Sequence, residues 1–174
     1  MTKGLARSLS RGSALAQPIT KQSIAFEDVT LTVSATGAAA GFGSVAIANF
    51  PEGNILFLGA TSYVGFAGSG SDANLVDTWN GDYSMATAPL ADAAIDGDPE
   101  RNIIFTSAVG PAGSEVISQV RGEKGGVTVF DNTDGSLKIN LNLTIDAADI
   151  TDNQSVDITV SGVLHIAYIV LGDD

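Results

Sequence analysis

The chain has 174 residues, of which 44% are hydrophobic and 16% are charged, and it contains no cysteine. This composition excludes an intrinsically disordered chain, and the lack of thiols excludes disulfide frameworks, thiolate metal sites and cysteine catalysis. The net charge of −12 disfavours nucleic acid as a partner, because an acidic body repels phosphate. A chain of this length can bury a core of its own, so one folded domain is expected.

The N-terminal segment is basic, in contrast to the rest of the chain. Residues 1–22 contain no acid and four cations, Lys3, Arg7, Arg11 and Lys21. All 20 acidic residues follow this segment. The asymmetry predicts a basic extended arm over residues 1–22, whose four cations bind a protein partner, and a single β-sandwich domain over residues 23–174. A mitochondrial transit peptide and a solvated tail remain alternative interpretations of the arm.

From residue 23 onward the hydrophobic pattern has period two, which is typical of half-buried strands. Regular alternation predicts strands over residues 29–34, 136–145 and 156–161. Less regular apolar runs rich in β-branched and aromatic residues predict further strands over 44–50, 54–66, 102–108, 115–120 and 127–130. Turn-forming residues at 49–53, 123–126 and 131–135 predict tight connections between strands.

Helix is expected in few places. Good helix formers cluster at residues 89–95, and Leu5 and Leu9 lie one turn apart in the arm. Many short strands without alternating helices predict an all-β fold, namely an antiparallel β-sandwich or jelly roll with an extended N-terminal arm.

The last apolar run, residues 163–171, is hydrophobic on both faces of the predicted strand. Because an uncovered apolar face promotes aggregation, this strand either lies at the centre of a sandwich or uses one face as a subunit interface. The second possibility predicts four oligomer-interface residues, Val163, His165, Ala167 and Ile169. Gly162, just before them, predicts a bulge or bend.

Catalytic and metal-binding signals are weak. His165 is the single histidine, and a histidine in an apolar strand is more often a hydrogen-bonded core or interface residue than a general base. No nucleophile elbow occurs, so we predict no enzyme activity, no catalytic residue and no cofactor. Acidic residues at 92–100 and 146–152 offer oxygen ligands without the spacing of an EF-hand. No metal site is assigned, and calcium binding by these loops stays open.

A second hypothesis comes from the aromatic residues. Trp79, Tyr83 and Tyr63 could form a stacking platform for sugar beside the polar segment 77–82. The alternative function is therefore a carbohydrate-binding or adhesin-type β-sandwich module. No apolar run approaches the roughly 18 residues of a membrane helix, so no membrane partner is expected.

The chain as a whole resembles the head decoration, or cement, proteins of tailed bacteriophages, which are minor capsid structural proteins. The resemblance rests on the basic Ser/Ala-rich arm, the acidic cysteine-free body, the small-residue loop 36–41 and the closing strand 162–172. It implies a non-enzymatic virion protein on the outer capsid surface, assembled in the host cytoplasm, that binds the major capsid protein and bridges neighbouring subunits through its arm. It also implies a homo-oligomer, more often a trimer than a dimer, whose arms bind together.

Overall fold

The computed structural model describes residues 19–68, 73–112 and 118–171. The regular structure in these ranges is almost entirely β, with one short 3-10 turn at Asp98–Glu100. The strands are β1 (Thr20–Ser34), β2 (Gly41–Asn49), β3 (Ile55–Gly68), β4 (Trp79–Ala86), β5 (Ile104–Ala112), β6 (Ser118–Phe130), β7 (Lys138–Ile145) and β8 (Ser155–Val170). The predicted all-β class is confirmed. In these ranges no helix has the length and hydrophobicity needed to cross a membrane.

The strands form one curled antiparallel sheet in the order β5-β4-β7-β2-β1-β8-β3-β6. Ser34 of β1 pairs with Phe42 of β2, and at this corner the sheet turns into two four-stranded halves, β1-β8-β3-β6 and β5-β4-β7-β2. The outer strands β5 and β6 contact each other on the far side. This order is that of a jelly roll, in which successive strands alternate between two facing sheets except at β4 and β5, which are paired neighbours in one sheet.

The core lies between the two halves and is filled by the alternating residues of the strands. In β8 every even-numbered hydrophobic residue from Val156 to Tyr168 is buried. In β7 the odd-numbered residues enter the same core, and the polar residues between them are buried as well. The segment 87–102 covers this polar face: Asn142 Nδ2 donates to the carbonyl oxygens of Ala88 at 3.1 Å and Glu100 at 3.0 Å. These hydrogen bonds offset the cost of burying the amide.

Two differences from the predicted strands have a clear cause. Residues 79–82 of the polar segment 77–82 belong to β4, where Trp79, Gly81, Tyr83 and Met85 alternate inward. The predicted turn at 123–126 lies inside β6, so the runs 115–120 and 127–130 belong to one strand as far as residues are described. This strand pairs with β3, and a register shift between Phe57 and Gly59 accommodates its glycines.

The predicted helix at residues 89–95 is wrong, because this segment forms a bend flanked by irregular backbone. Its backbone N–H groups bind side chains instead of helical carbonyls. Leu90 N donates to Ser44 Oγ at 2.9 Å, and Ala94 N donates to Asp92 Oδ1 at 2.9 Å. Such local side-chain acceptors compete with helix formation.

The bulge expected at Gly162 lies in the neighbouring strand instead. Glu27 and Asp28 of β1 form the register shift between Phe26, opposite Gly162, and Val29, opposite Val160. Asp28 has a φ of +51°, and its N–H donates to Ser161 Oγ at 2.9 Å. The residues of β1 that face the core are therefore even-numbered before the bulge and odd-numbered after it.

Gly162 is required for another reason, the close approach of two strands. A Cβ atom at this position would lie 2.4 Å from the backbone carbonyl oxygen of Tyr63 in β3. Neither backbone can move without disturbing the β8 pairing, so the extra methyl group would push the central strands of the sheet apart.

Replacing Gly162 with alanine should lower the free energy of unfolding by about 1–3 kcal/mol, the usual cost of overpacking. Urea unfolding of Gly162→Ala and the wild type measures this difference. Gly97→Ala is the matched control, because a Cβ there first meets the flexible end of the Glu100 side chain at 3.1 Å. Equal stability of both variants would contradict the close-approach argument.

Candidate interaction surface

The candidate interaction surface is the face of β1-β8-β3-β6 that points away from the core, called here the outer face. β8 lies in its middle, and its buried residues alternate with residues that point outward. The outward residues of β8 include all four predicted interface positions, Val163, His165, Ala167 and Ile169. Within the described residues His165 is exposed and the other three positions are half-buried. Their role in oligomer formation stays a prediction.

Neighbouring strands extend this outer face on both sides of β8. β1 places Lys21, Ser23 and Ala25 opposite Ala167, His165 and Val163, respectively. β3 places Leu56, Thr61 and Tyr63 opposite Ile169, His165 and Val163, respectively. In β6, Val129 pairs with Leu56. The outer face thus spans four strands.

One end of the outer face is apolar. Among the described residues, seven large hydrophobic side chains are exposed, and five of them lie on this face or at its end. Together with the half-buried hydrophobic residues between them they form the apolar patch, defined as Ile19, Leu56, Tyr63, Val127, Val129, Val163, Ala167, Ile169 and Leu171. Exposed apolar residues clustered on one face mark protein–protein contacts more often than scattered hydrophobic residues do.

The opposite end of the outer face is polar. Thr32 Oγ1 donates to Asp157 Oδ1 at 2.7 Å, and Ser34 Oγ and Ser155 Oγ lie 2.7 Å apart. These hydroxyl and carboxylate groups already bind each other across β1 and β8. A partner that buries apolar surface would therefore contact one end of the face only.

A shallow depression of about 540 Å³ lies within the apolar patch, between Val163 and Tyr63 on one side and Ile169 on the other. Lys21, Ser23, Thr61, His165 and Ala167 line it, and Ser23 Oγ lies 2.7 Å from His165 Nδ1. The structure thus places Lys21, a predicted partner-binding cation, beside two predicted interface residues. The other three predicted cations, Lys3, Arg7 and Arg11, lie outside the described residues.

The Ser23–His165 pair does not have the geometry of an activated nucleophile. A serine nucleophile needs a base that a third group orients, and within the described ranges Ser23 is the hydrogen-bond partner that contacts His165. Two other serines also bind away from His165: Ser107 Oγ donates to the Phe105 carbonyl at 3.1 Å, and Ser155 contacts Ser34. The depression therefore offers a cation and hydroxyl groups for binding.

The sugar platform expected from Trp79 and Tyr83 is wrong, because both side chains are fully buried. The Tyr83 ring packs on Phe66 with centroids 5.3 Å apart, and its hydroxyl lies 3.0 Å from Ser62 Oγ. Burial raises the pKa of Tyr83 above its ordinary value of 10.0, and hydrogen bonds from Ser62 and Ser107 oppose this rise. Tyr63 alone of the three aromatics is half exposed, on the outer face.

In the acidic segments, the described carboxylates include two that accept hydrogen bonds within the fold. Asp149 Oδ2 accepts hydrogen bonds from the backbone N–H of Asn80 at 2.8 Å and from the side-chain amide of Asn80 at 3.2 Å. Glu100 Oε2 accepts the N–H of Gly97 at 3.2 Å. In the part of the chain that the structure describes, no three His, Cys, Asp or Glu residues are grouped so that they could hold a metal ion.

Sequence reasoning missed the contributions of β3 and β6 to the apolar patch, among them Leu56, Tyr63, Val127 and Val129. Each run was seen as a strand, but the side of the sheet that a residue occupies depends on the strand order and on the bulges. Val127 and Val129, two residues apart beside Phe130, were the one local sign that a strand face other than that of β8 is apolar.

No family model matches the sequence, and no curated protein matches it. Among solved structures, the chain is similar to the VP2 subviral particle of infectious bursal disease virus, with a TM-score of 0.37 and 10% identity over 88% of this chain. The chain spans 33% of the length of that VP2 chain. This likeness is too distant to supply an argument about function.

Burial of Tyr83 predicts a loss of stability at alkaline pH. Because its folded-state pKa is raised, its contribution is complete below the unfolded pKa of about 10 and is lost as the pH rises through the folded pKa. Tyr83→Phe should cost about 1 kcal/mol at pH 7 through the lost hydrogen bond and show a smaller further loss above pH 10. Urea unfolding at pH 7 to 11 measures both effects, and an unchanged alkaline slope would contradict the prediction.

Proposed function

We propose that this chain is a structural virion protein that decorates and stabilises a phage capsid by bridging neighbouring capsid subunits through its N-terminal arm. The observation that carries the proposal is the apolar patch on the outer face of the sheet. An acidic, otherwise polar body that exposes such a patch gains most by covering it with another protein. The proposed role is binding and assembly, without enzyme activity or a cofactor.

The place where the arm joins the sheet supports a single contact surface. β1 begins at Thr20, opposite Tyr168 near the end of β8, and Ile19, which precedes it, belongs to the apolar patch. A partner that covers the apolar patch therefore also lies next to residue 19, where the described chain begins. Lys21, on the rim of the patch, also belongs to the arm. This arrangement combines an apolar contact that lowers the dissociation rate with cations that speed association with an acidic partner.

The finer parts of the proposal follow from the resemblance to cement proteins. The partner is the major capsid protein, the site is the outer surface of the virion, and assembly takes place in the host cytoplasm. The chain acts as a homo-oligomer, a trimer rather than a dimer, in which several arms bind one particle at once. Such multivalent attachment turns weak single contacts into stable binding.

The adhesin alternative keeps one supporting fact, since jelly rolls also occur in lectin domains. Its stacking platform is lost, because Trp79 and Tyr83 are buried. We therefore do not retain it as a second candidate function.

Binding to undecorated phage heads, measured by cosedimentation, tests the role of the apolar patch. Val129→Lys should weaken binding about tenfold or more, because it puts a charge where apolar surface is buried. Val76→Lys is the matched control: Val76 is 45% exposed and lies outside the patch, whereas Val129 is 56% exposed within it. Wild-type binding by Val129→Lys, or equal loss in both variants, would contradict the proposal.

Deleting residues 1–18 tests the arm and leaves β1 intact, because this strand begins at Thr20. The shortened chain should bind heads more weakly, and its remaining binding should depend less on salt than that of the full chain. Unchanged affinity and unchanged salt dependence would remove the arm from the proposal.

A further inference from the structure

β1 presents an open edge of the sheet. On one side it pairs with β8 along its length, whereas on the other side the β1–β2 register joins only Ser34 and Phe42. Within the described residues, no backbone hydrogen bond links positions 20–26 to a strand on that second side. Unpaired N–H and C=O groups along such an edge are a template for an added strand.

The usable part of this edge has defined limits. The bulge at Glu27 and Asp28 interrupts the regular strand after Phe26, and the strand begins at Thr20. Proteins prevent unwanted strand addition with prolines, charges or bulges. Positions 20–26 contain no proline and one charge, Lys21, so they form a seven-residue segment that can pair.

We propose that positions 20–26 pair antiparallel with the same residues of a second copy of this chain. When all seven residues overlap, Ser23 lies opposite Ser23 of the second copy. The two-fold axis therefore passes between these two residues. The two β1-β8-β3-β6 halves then join into one continuous eight-stranded sheet. This pairing makes a dimer in place of the proposed trimer, or joins two trimers into a hexamer, and it does not depend on the proposed capsid role.

The charges of the edge are complementary in this register. Lys21 lies opposite Ala25 of the second copy and diagonally across from its Glu27, at a separation of about 7–8 Å that long side chains can bridge. Lys21 and Glu27 are both exposed. The two-fold axis creates this Lys–Glu contact twice, and no like charges face each other.

A second copy fits the edge better than the basic arm of a neighbour does. Residues 1–18 include two glycines, a proline and three cations, a composition with low strand propensity. Their cations would also approach Lys21. The β1 edge itself already has strand geometry and needs no ordering before it pairs.

Cysteine cross-linking tests the pairing on a clean background, since the chain has no cysteine. Directly opposed residues of antiparallel strands have Cα atoms about 4.5–5.5 Å apart, which suits a disulfide. Under mild oxidation, full-length Ser23→Cys should form a covalent dimer. Thr30→Cys, exposed on the same strand beyond the bulge, is the matched control and should remain monomeric on denaturing gels. Equal cross-linking of both variants, or none of Ser23→Cys, would overturn the proposal.

Charge reversal tests the register by sedimentation velocity. Lys21→Glu and Glu27→Lys should each raise the dimer dissociation constant about tenfold, because two attractive contacts become repulsive. The double variant should restore wild-type association, and Lys138→Glu, an exposed lysine on β7, should leave it unchanged. A monomeric wild type, or a double variant as weak as the single ones, would overturn the proposal.

Two further variants separate the possible outcomes. Deleting residues 1–18 should leave the dimer intact, and loss of the dimer would show that the arm, not the second β1 edge, is the added strand. Val129→Lys, which changes the apolar patch, should still allow the Ser23→Cys cross-link. A cross-linked dimer that does not bind phage heads would contradict the capsid role alone, whereas head binding without the cross-link would contradict the edge pairing alone.

Discussion

The pairing of β8 with β1 and β3 is the interaction on which the rest of the structure depends. β8 runs from Ser155 to Val170 between these two strands, and its inward residues fill the core from end to end. The close contact at Gly162 holds β8 against β3. In β8 the even-numbered residues point inward over the whole length of the strand. The odd-numbered residues therefore all point to the outer face, where a partner can contact them.

The two neighbours of β8 do not keep one alternation, and this shapes the candidate surface. A bulge in β1 at Glu27 and Asp28, and a register shift in β3 between Phe57 and Gly59, reverse the side on which later residues point. These reversals keep hydrophobic residues in the core on both sides of each irregularity. They also leave Leu56, Tyr63 and Ala25 on the outer face beside β8. The apolar patch, the depression at His165 and the open edge of β1 therefore all lie at the end where β1 begins.

The sequence predicted the strands that show a local alternating pattern. It missed the features that depend on which strands are neighbours in the sheet. Period-two alternation located β7 and most of β8, whose side chains face one core. It missed β4, where a buried tryptophan follows a polar segment, and it divided β6 at glycines that pairing with β3 tolerates. The helix expected at residues 89–95 failed because Ser44 and Asp92 capture its backbone N–H groups. The outward side of β8 was predictable from its own residues, but the complete patch was not, since it requires the order β8-β3-β6.

The central claim is that the apolar patch is covered by protein when the chain performs its function. Hydroxyl-radical footprinting of the full chain, free and bound to phage heads, tests this claim residue by residue. The account predicts protection of Tyr63, Val129 and Ile169 in the bound state. Phe105, which is 49% exposed on β5, should be labelled equally in both states. Unchanged labelling of the patch, or protection at Phe105 instead, would contradict the account.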